Sequence, residues 1–264
     1  MSRIRDDLQS EPLFALEKVT VSFDSTVALR EVTVEIPARA YVGLIGPNGS
    51  GKTTLMRVLC GAVKPDRGTV SFKMQNIRTL STQDLAKEIS LVPQNCPVPH
   101  QVRVIDEVLL GRLPFLSNFA TYSATDYQLA RDALQAVGLS PYADKHSDQL
   151  SGGERQRTTI ARAITQNTDC TLLDEPTNHL DIYFQHKVLG LLGELSPSVV
   201  AVLHDINLAA RYCDWVILLK NGEVFAAGPP DKVLTKETIE QVYGVTTTTF
   251  CHQGKQQFFF SIDE

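Results

Sequence analysis

Between a five-residue apolar run and a helically spaced apolar set stands the octet Gly46-Pro47-Asn48-Gly49-Ser50-Gly51-Lys52-Thr53. It restricts what this chain can fold into more than any other stretch. The run before it, residues 41–45, suits a strand buried on both faces; after it Leu55, Val58 and Leu59 have the spacing of a helix over 54–60, with Gly61 as its stop. The octet matches Gly-x4-Gly-Lys-Ser/Thr in the setting the physics demands, strand then glycine turn then helix N-terminus. Its glycines let backbone N–H groups turn inward around phosphate oxygens, and the helix dipole adds positive potential. Lys52 supplies a point charge for the β- and γ-phosphates, the Thr53 hydroxyl can ligate Mg²⁺, and Thr54 follows at the start of the helix. Average residue frequencies would produce the four fixed positions by accident in about one chain in a hundred of this length, before that setting is counted. The loop says nucleotide and leaves open which machine uses it.

The rest of the chain carries an α/β rhythm around this unit. Val19, Val21 and Phe23 alternate with Thr20, Ser22 and Asp24, as a half-buried strand should, and a second alternating run covers 32–36. From 95 to 166 the character changes: after a proline-rich stretch at 97–99 most of the segment reads as helices, including 126–137 and 154–164, which predicts a helical subdomain inserted in a single domain over 1–264. Strands return at 170–173 and 199–203, separated by the helical pattern Val188, Leu189, Leu192 and Leu195. Parallel strands with crossover helices follow from that order. Asn221-Gly222 between the runs 215–219 and 224–227 predicts a tight hairpin, and the tail from Asp231 reads as short helices and one late strand.

Cys170-Thr-Leu-Leu-Asp174-Glu175 places two carboxylates at the C-terminal end of an apolar strand, where open α/β sheets put their ligand crevice. Asp174 can hold magnesium. Glu175, one residue on, points elsewhere and can polarise an attacking water as a general base. Two solvated acids ending a strand are common in themselves; coupled to the phosphate loop they read as catalytic. A third phrase, Leu150-Ser151-Gly152-Gly153-Glu154-Arg-Gln-Arg157, has the capping-box spacing of a helix start, with Gly152 and Gly153 baring N–H groups to an anion. Two glycines in a first turn cost helix stability that a mere cap would not require.

Together, the octet, Leu173-Asp-Glu-Pro-Thr177 and Leu150–Arg157 closely resemble the ABC ATPase family, over nearly the whole chain. The resemblance implies a P-loop NTPase (RecA-like) α/β core with a mainly parallel sheet, an antiparallel β region and the inserted helical subdomain. It implies ATP and Mg²⁺ as cofactors, and a head-to-tail homodimer in which the Ser151–Glu154 helix start faces the γ-phosphate held by the partner's loop. Gln94 in Leu91-Val-Pro-Gln94 matches the family's Q-loop glutamine, which contacts Mg²⁺ and the attacking water. His204 in Val202-Leu-His204-Asp205 matches the switch histidine on the γ-phosphate, and Asp181 in Asn178-His-Leu-Asp181 the aspartate that spans the dimer. Phe23 falls where an aromatic stacks on adenine, although its alternation also allows it to pack in the core. Within the family, Gly111-Arg-Leu-Pro114, Asp174 through Gln185 and Leu203 through Asp214 are similar to subunits of metal-chelate importers serving ferric siderophores, haem and cobalamin. Thr158 and Thr159 depart from that pattern, standing where an apolar pair is usual.

Composition narrows the partners. A formal net charge of −5 argues against a surface built for nucleic acid, which needs a basic stripe. The five cysteines are scattered and never form a Cys-x-x-Cys pair, so they predict reduced thiols and no zinc site. No apolar run approaches the roughly 20 residues that cross a bilayer, and residues 1–12 are polar where a signal peptide needs an apolar stretch. With the family resemblance, which implies transmembrane permease subunits and, indirectly, a substrate-binding protein, the expectation is a subunit held peripherally on the cytoplasmic face of the membrane. A permease-independent member of the family is the competing class; translation factors of that kind carry two cassettes and repair proteins a long coiled-coil insertion, and this sequence shows neither.

Overall fold

The computed structural model describes residues 11–94, 96, 101–117, 120–178, 180–252 and 255–262. The polar start at 1–10 and the prolines of 97–99 lie outside the described residues. Two compact units are present, one running up to Leu80 and resuming at Ser198, the other spanning Ser81–Pro197. The first unit opens with β1 (Phe14–Phe23), β2 (Thr26–Ile36), β3 (Tyr41–Ile45), α1 (Lys52–Leu59), β4 (Arg67–Phe72) and β5 (Gln75–Asn76). The second carries α2 (Thr82–Glu88), β6 (Ile89–Val92), α3 (Val104–Leu109), α4 (Ala124–Ala136), α5 (Gly152–Gln166), β7 (Cys170–Asp174) and α6 (Ile182–Leu195). The chain then returns to the first unit with β8 (Ser198–Val202), α7 (Ile206–Tyr212), β9 (Trp215–Lys220), β10 (Glu223–Gly228), α8 (Pro230–Val233), α9 (Lys236–Tyr243), β11 (Thr246–His252) and β12 (Lys255–Ser261).

In the first unit β3 lies between β8 and β9 and runs parallel to both, with β10 antiparallel to β9. All five residues of β3 and of β8 are buried, the pattern of strands covered on both faces. A separate antiparallel sheet has the order β2-β1-β4-β5. The Phe14 and Phe72 rings of its paired strands lie 5.0 Å apart. Asn221 and Gly222 join β9 to β10 with φ of 53° and 83°, the positive pair that lets a two-residue turn match the strand twist.

Phe23 does not share the core face with Val19 and Val21. Those two are 0% and 1% exposed, whereas Phe23 is 43% exposed. Register shifts between Val19 and Val21 and between Val21 and Ser22 interrupt the period of two, and Phe23 ends the strand opposite Thr26. The tail also departs from expectation, since two strands, β11 and β12, form a hairpin where one was expected. The threonine run at 246–249 is β-branched, and Asn207 in α7 exchanges two hydrogen bonds with the Phe258 backbone, at 2.8 and 3.1 Å.

In the second unit β6 and β7 pair in parallel, and every named element from Val104 to Gln166 is helical. Capping boxes set the starts of the longer helices, Ser123 with Asp126 on α4 and Ser151 with Glu154 on α5. Helix α5 therefore begins at Gly152, earlier than expected, and ends where Asn167 turns left-handed at φ 55°. Its buried Thr158 and Thr159 hydroxyls donate to the carbonyls one turn back, Glu154 O at 3.0 Å and Arg155 O at 3.2 Å. That satisfies polar groups where the family's apolar pair would need none. Arg112 joins Asp126 at 2.8 Å to the last carbonyls of α5, Thr165 O at 3.2 Å and Gln166 O at 2.9 Å. A Cβ on Gly111 would meet Arg162 O at 2.3 Å, so the Gly111-Arg112 phrase serves close packing on α5.

Candidate active site

The phosphate loop is built by three conformations that favour glycine. Gly46, Gly49 and Gly51 have φ of 147°, 75° and 100°. Side chains are also excluded by the neighbours, since a Cβ would lie 2.2 Å from Leu219 O at Gly46 and 2.7 Å from Ala28 O at Gly51. The hairpin turn props the loop from behind, Gly222 N–H donating to Ser50 O at 3.1 Å. Pro47 is half-buried and Asn48 exposed at its tip. Lys52 is 5% exposed, and its Nζ donates to Gly46 O and Pro47 O, both at 2.8 Å. The ammonium is thus folded over the loop it belongs to. Thr53 and Thr54 stand half-buried in the first turn of α1. Ser50 is 2% exposed, and its Oγ has no hydrogen-bond partner among the described residues. A buried hydroxyl with no protein partner, in a glycine loop of this kind, fits a phosphate oxygen.

His204 belongs to the same unit. Leu203 N–H donates to Leu44 O at 3.1 Å, so the chain leaves β8 at the level where β3 enters the loop, and His204 comes next, exposed. Asp205 beyond it caps α7 through Asn207 N at 2.7 Å. Tyr243, from α9, is a contributor that sequence reasoning missed: burial pushes its hydroxyl up to about 12, while a hydrogen bond from the Gly46 backbone acts the other way. A lone tyrosine in an unassigned tail carried no signal of that contact.

The second unit holds the carboxylates. Asp174 ends β7 at 6% exposure. Glu175 takes φ 56°, a left-handed conformation unusual for a residue with a side chain. Gln94, on the exposed segment after β6, donates from Nε2 to Glu175 Oε2 at 2.8 Å. Asn178 Nδ2 donates to the same oxygen at 2.6 Å. The sequence assigns Asn178 no task; the signal it carries there is its place three residues after Glu175, within reach of one turn. At the head of α5 the Ser151 N–H and hydroxyl donate to Glu154 Oε2 at 2.8 and 2.7 Å. The hydroxyl bond, then the backbone bond, hold the Glu154 carboxyl below its ordinary range. Asp181 caps α6, accepting from Phe184 N at 2.9 Å. His179 lies outside the described residues.

The model of the ABC transporter family matches residues 29–178. This chain belongs to the ABC transporter family. Among its relatives, a ferric enterobactin transport ATP-binding protein of Escherichia coli K12 is 38% identical over 87% of this chain and 86% of its own. A petrobactin import ATP-binding protein of Bacillus anthracis is 36% identical over 86% and 85%. A solved structure of a metal-chelate type ABC transporter in an inward-facing conformation superposes with a TM-score of 0.80 at 27% identity, covering 95% of this chain and 97% of that one. The ABC cassette described here is therefore a nucleotide-binding ATPase. The family match runs from β2 to Asn178, leaving Phe23 before it and Asp181 and His204 after it.

Proposed function

We propose that this ABC cassette is the ATP-hydrolysing subunit of an importer for metal chelates, with a ferric siderophore as cargo. The observation that carries the reading is identity of 36–38% along nearly the full length of two proteins named for siderophore transport. Two copies sandwich ATP head to tail, and a separate transmembrane permease takes up the motion at the cytoplasmic face of the membrane, supplied by a substrate-binding protein outside. The helical subdomain over 95–166 is the part that moves with the permease, a rigid-body coupling.

Roles follow residue by residue from the family motifs. Gly46 to Thr54 cradle the triphosphate, Lys52 facing the β- and γ-phosphates, and Phe23, exposed at the end of β1, stacks on adenine. Thr53, Asp174 and Gln94 are the residues that would hold Mg²⁺; a hydroxyl, a carboxylate and an amide carbonyl are the hard oxygen donors that ion takes. When bound, Mg²⁺ neutralises charge developing on the phosphates. Glu175 accepts the proton of the attacking water, and His204 steadies the γ-phosphate. Ser151, Gly152, Gly153 and Glu154 present the α5 N-terminus to the γ-phosphate of the partner's nucleotide, with Asp181 at the dimer seam.

Deleting the gene in iron-starved cells and following a radiolabelled ferric siderophore tests the cargo. Uptake is lost and returns with the wild-type gene but not with a Glu175→Gln copy. Normal siderophore uptake in the deletion strain, with haem or cobalamin uptake lost instead, refutes the siderophore and leaves the ATPase intact.

A further inference from the structure

Glu175 is held in a conformation that its own backbone disfavours. An L-residue in the left-handed region is strained and persists only where its surroundings over-determine it. Two hydrogen bonds from one residue do so here: Asn178 N–H closes the turn onto Glu175 O at 3.3 Å, and Asn178 Nδ2 reaches Glu175 Oε2 at 2.6 Å. The frame from which Asn178 donates is itself anchored. Gln185 of α6 donates to Thr177 O at 3.3 Å and Leu180 O at 3.2 Å, and Gln156 of α5 donates to Pro176 O at 3.3 Å.

We propose that Asn178 is a positioning residue that keeps the Glu175 carboxylate aimed throughout the catalytic cycle; this rests on reading Glu175 as the general base. Among the described residues Gln94 also donates to Oε2; it sits on an exposed segment and, in the reading above, has a second task at the metal. Its bond can be exchanged as that task is performed. Asn178 travels on the same turn as Glu175, so its bond moves with the carboxylate it holds. Donors converging on one oxygen stop the carboxylate from rotating about its last bond, and loss of the amide frees that rotation. A small misplacement of a base is enough to cost rate without costing binding. An aspartate at 178 has the same shape but sets a second carboxylate where the amide donates, so it separates the donor from the volume it fills.

The test is steady-state ATP hydrolysis by the full-length chain with Mg²⁺, comparing wild type, Asn178→Ala, Asn178→Asp, Glu175→Gln and the double variant Asn178→Ala/Glu175→Gln, with unfolding midpoints confirming folded samples. Loss of a hydrogen bond to a charged group predicts that Asn178→Ala lowers kcat about ten- to hundredfold with KM for ATP within about twofold. Asn178→Asp falls at least as far, and Asn178→Ala costs nothing further once Glu175 is glutamine. Wild-type kcat in Asn178→Ala or Asn178→Asp, beside an inactive Glu175→Gln, overturns the positioning role alone. The same fold loss from Asn178→Ala in both backgrounds makes the residue merely structural and also overturns it. Wild-type hydrolysis by Glu175→Gln removes the base assignment itself, and the proposal with it.

Discussion

Asp126→Asn probes the polar knot that ties the C-terminal end of the α5 helix to α4. The carboxylate accepts from Arg112 Nε at 2.8 Å, Ser123 N at 2.8 Å and the Ser123 hydroxyl at 2.7 Å. The Arg112 and Asp126 side chains are 14% and 11% exposed. The Ser123 hydroxyl, with Arg112 next, pushes the carboxyl from its ordinary 3.8 down to about 2. At about 1.4 kcal/mol per tenfold in proton affinity that depression corresponds to roughly 2.5 kcal/mol. Asparagine keeps an oxygen that can accept part of these bonds, so about 1–2 kcal/mol is the expected effect. Because the folded value is lowered, the contribution is fully present above about pH 4 and is lost as pH falls through about 2. Urea unfolding midpoints of wild type and Asp126→Asn, followed from pH 7 to pH 2.5, should differ most at neutral pH and converge toward the acid end. A difference that stays constant with pH, or widens as pH falls, refutes the reasoning.

Lys52→Ala removes the ammonium that folds over the phosphate loop, and ATP binding measured by fluorescence of a nucleotide analogue should be lost; wild-type hydrolysis in that variant would overturn the loop's role. Phe23→Ala takes away an exposed aromatic, so the nucleotide dissociation constant should rise about five- to hundredfold, from about 1–3 kcal/mol of stacking, with the unfolding midpoint unchanged. Unchanged affinity with lowered stability would instead return Phe23 to the core. Gly111→Ala drives a Cβ against the Arg162 carbonyl and should cost about 1–3 kcal/mol of stability, read as a lowered thermal midpoint; an unchanged midpoint would mean that the contact with α5 yields freely.

Much of the site is legible in sequence because its chemistry is local. The phosphate loop needs glycines where φ is positive and a lysine at the helix start, and both are spelled out in eight adjacent positions. Ser151 and Glu154 announce a helix cap for the same reason: the partners are three residues apart and the backbone between them is regular. The Asn221-Gly222 turn and the buried strands at 41–45 and 170–173 were readable from turn preference and unbroken apolar runs.

Residues whose tasks depend on partners distant in the chain were not legible. Periodicity placed Phe23 with Val19 and Val21, and only the register shifts of β1 against β2 turned it outward. Gly111 and Arg112 carry only a family phrase in the sequence; their task comes from α5, fifty residues further along, lying against them. Tyr243 met Gly46 from the far end of the chain. Spacing could name Glu175 as a carboxylate after a strand, but its left-handed backbone and the amides of Gln94 and Asn178 on one oxygen came from the folded turn. Side-chain identity and short-range backbone preference are written in neighbouring letters; register, close approach and the aim of a carboxylate arise only when separate segments are packed together and their sterics and hydrogen bonds must be met at once.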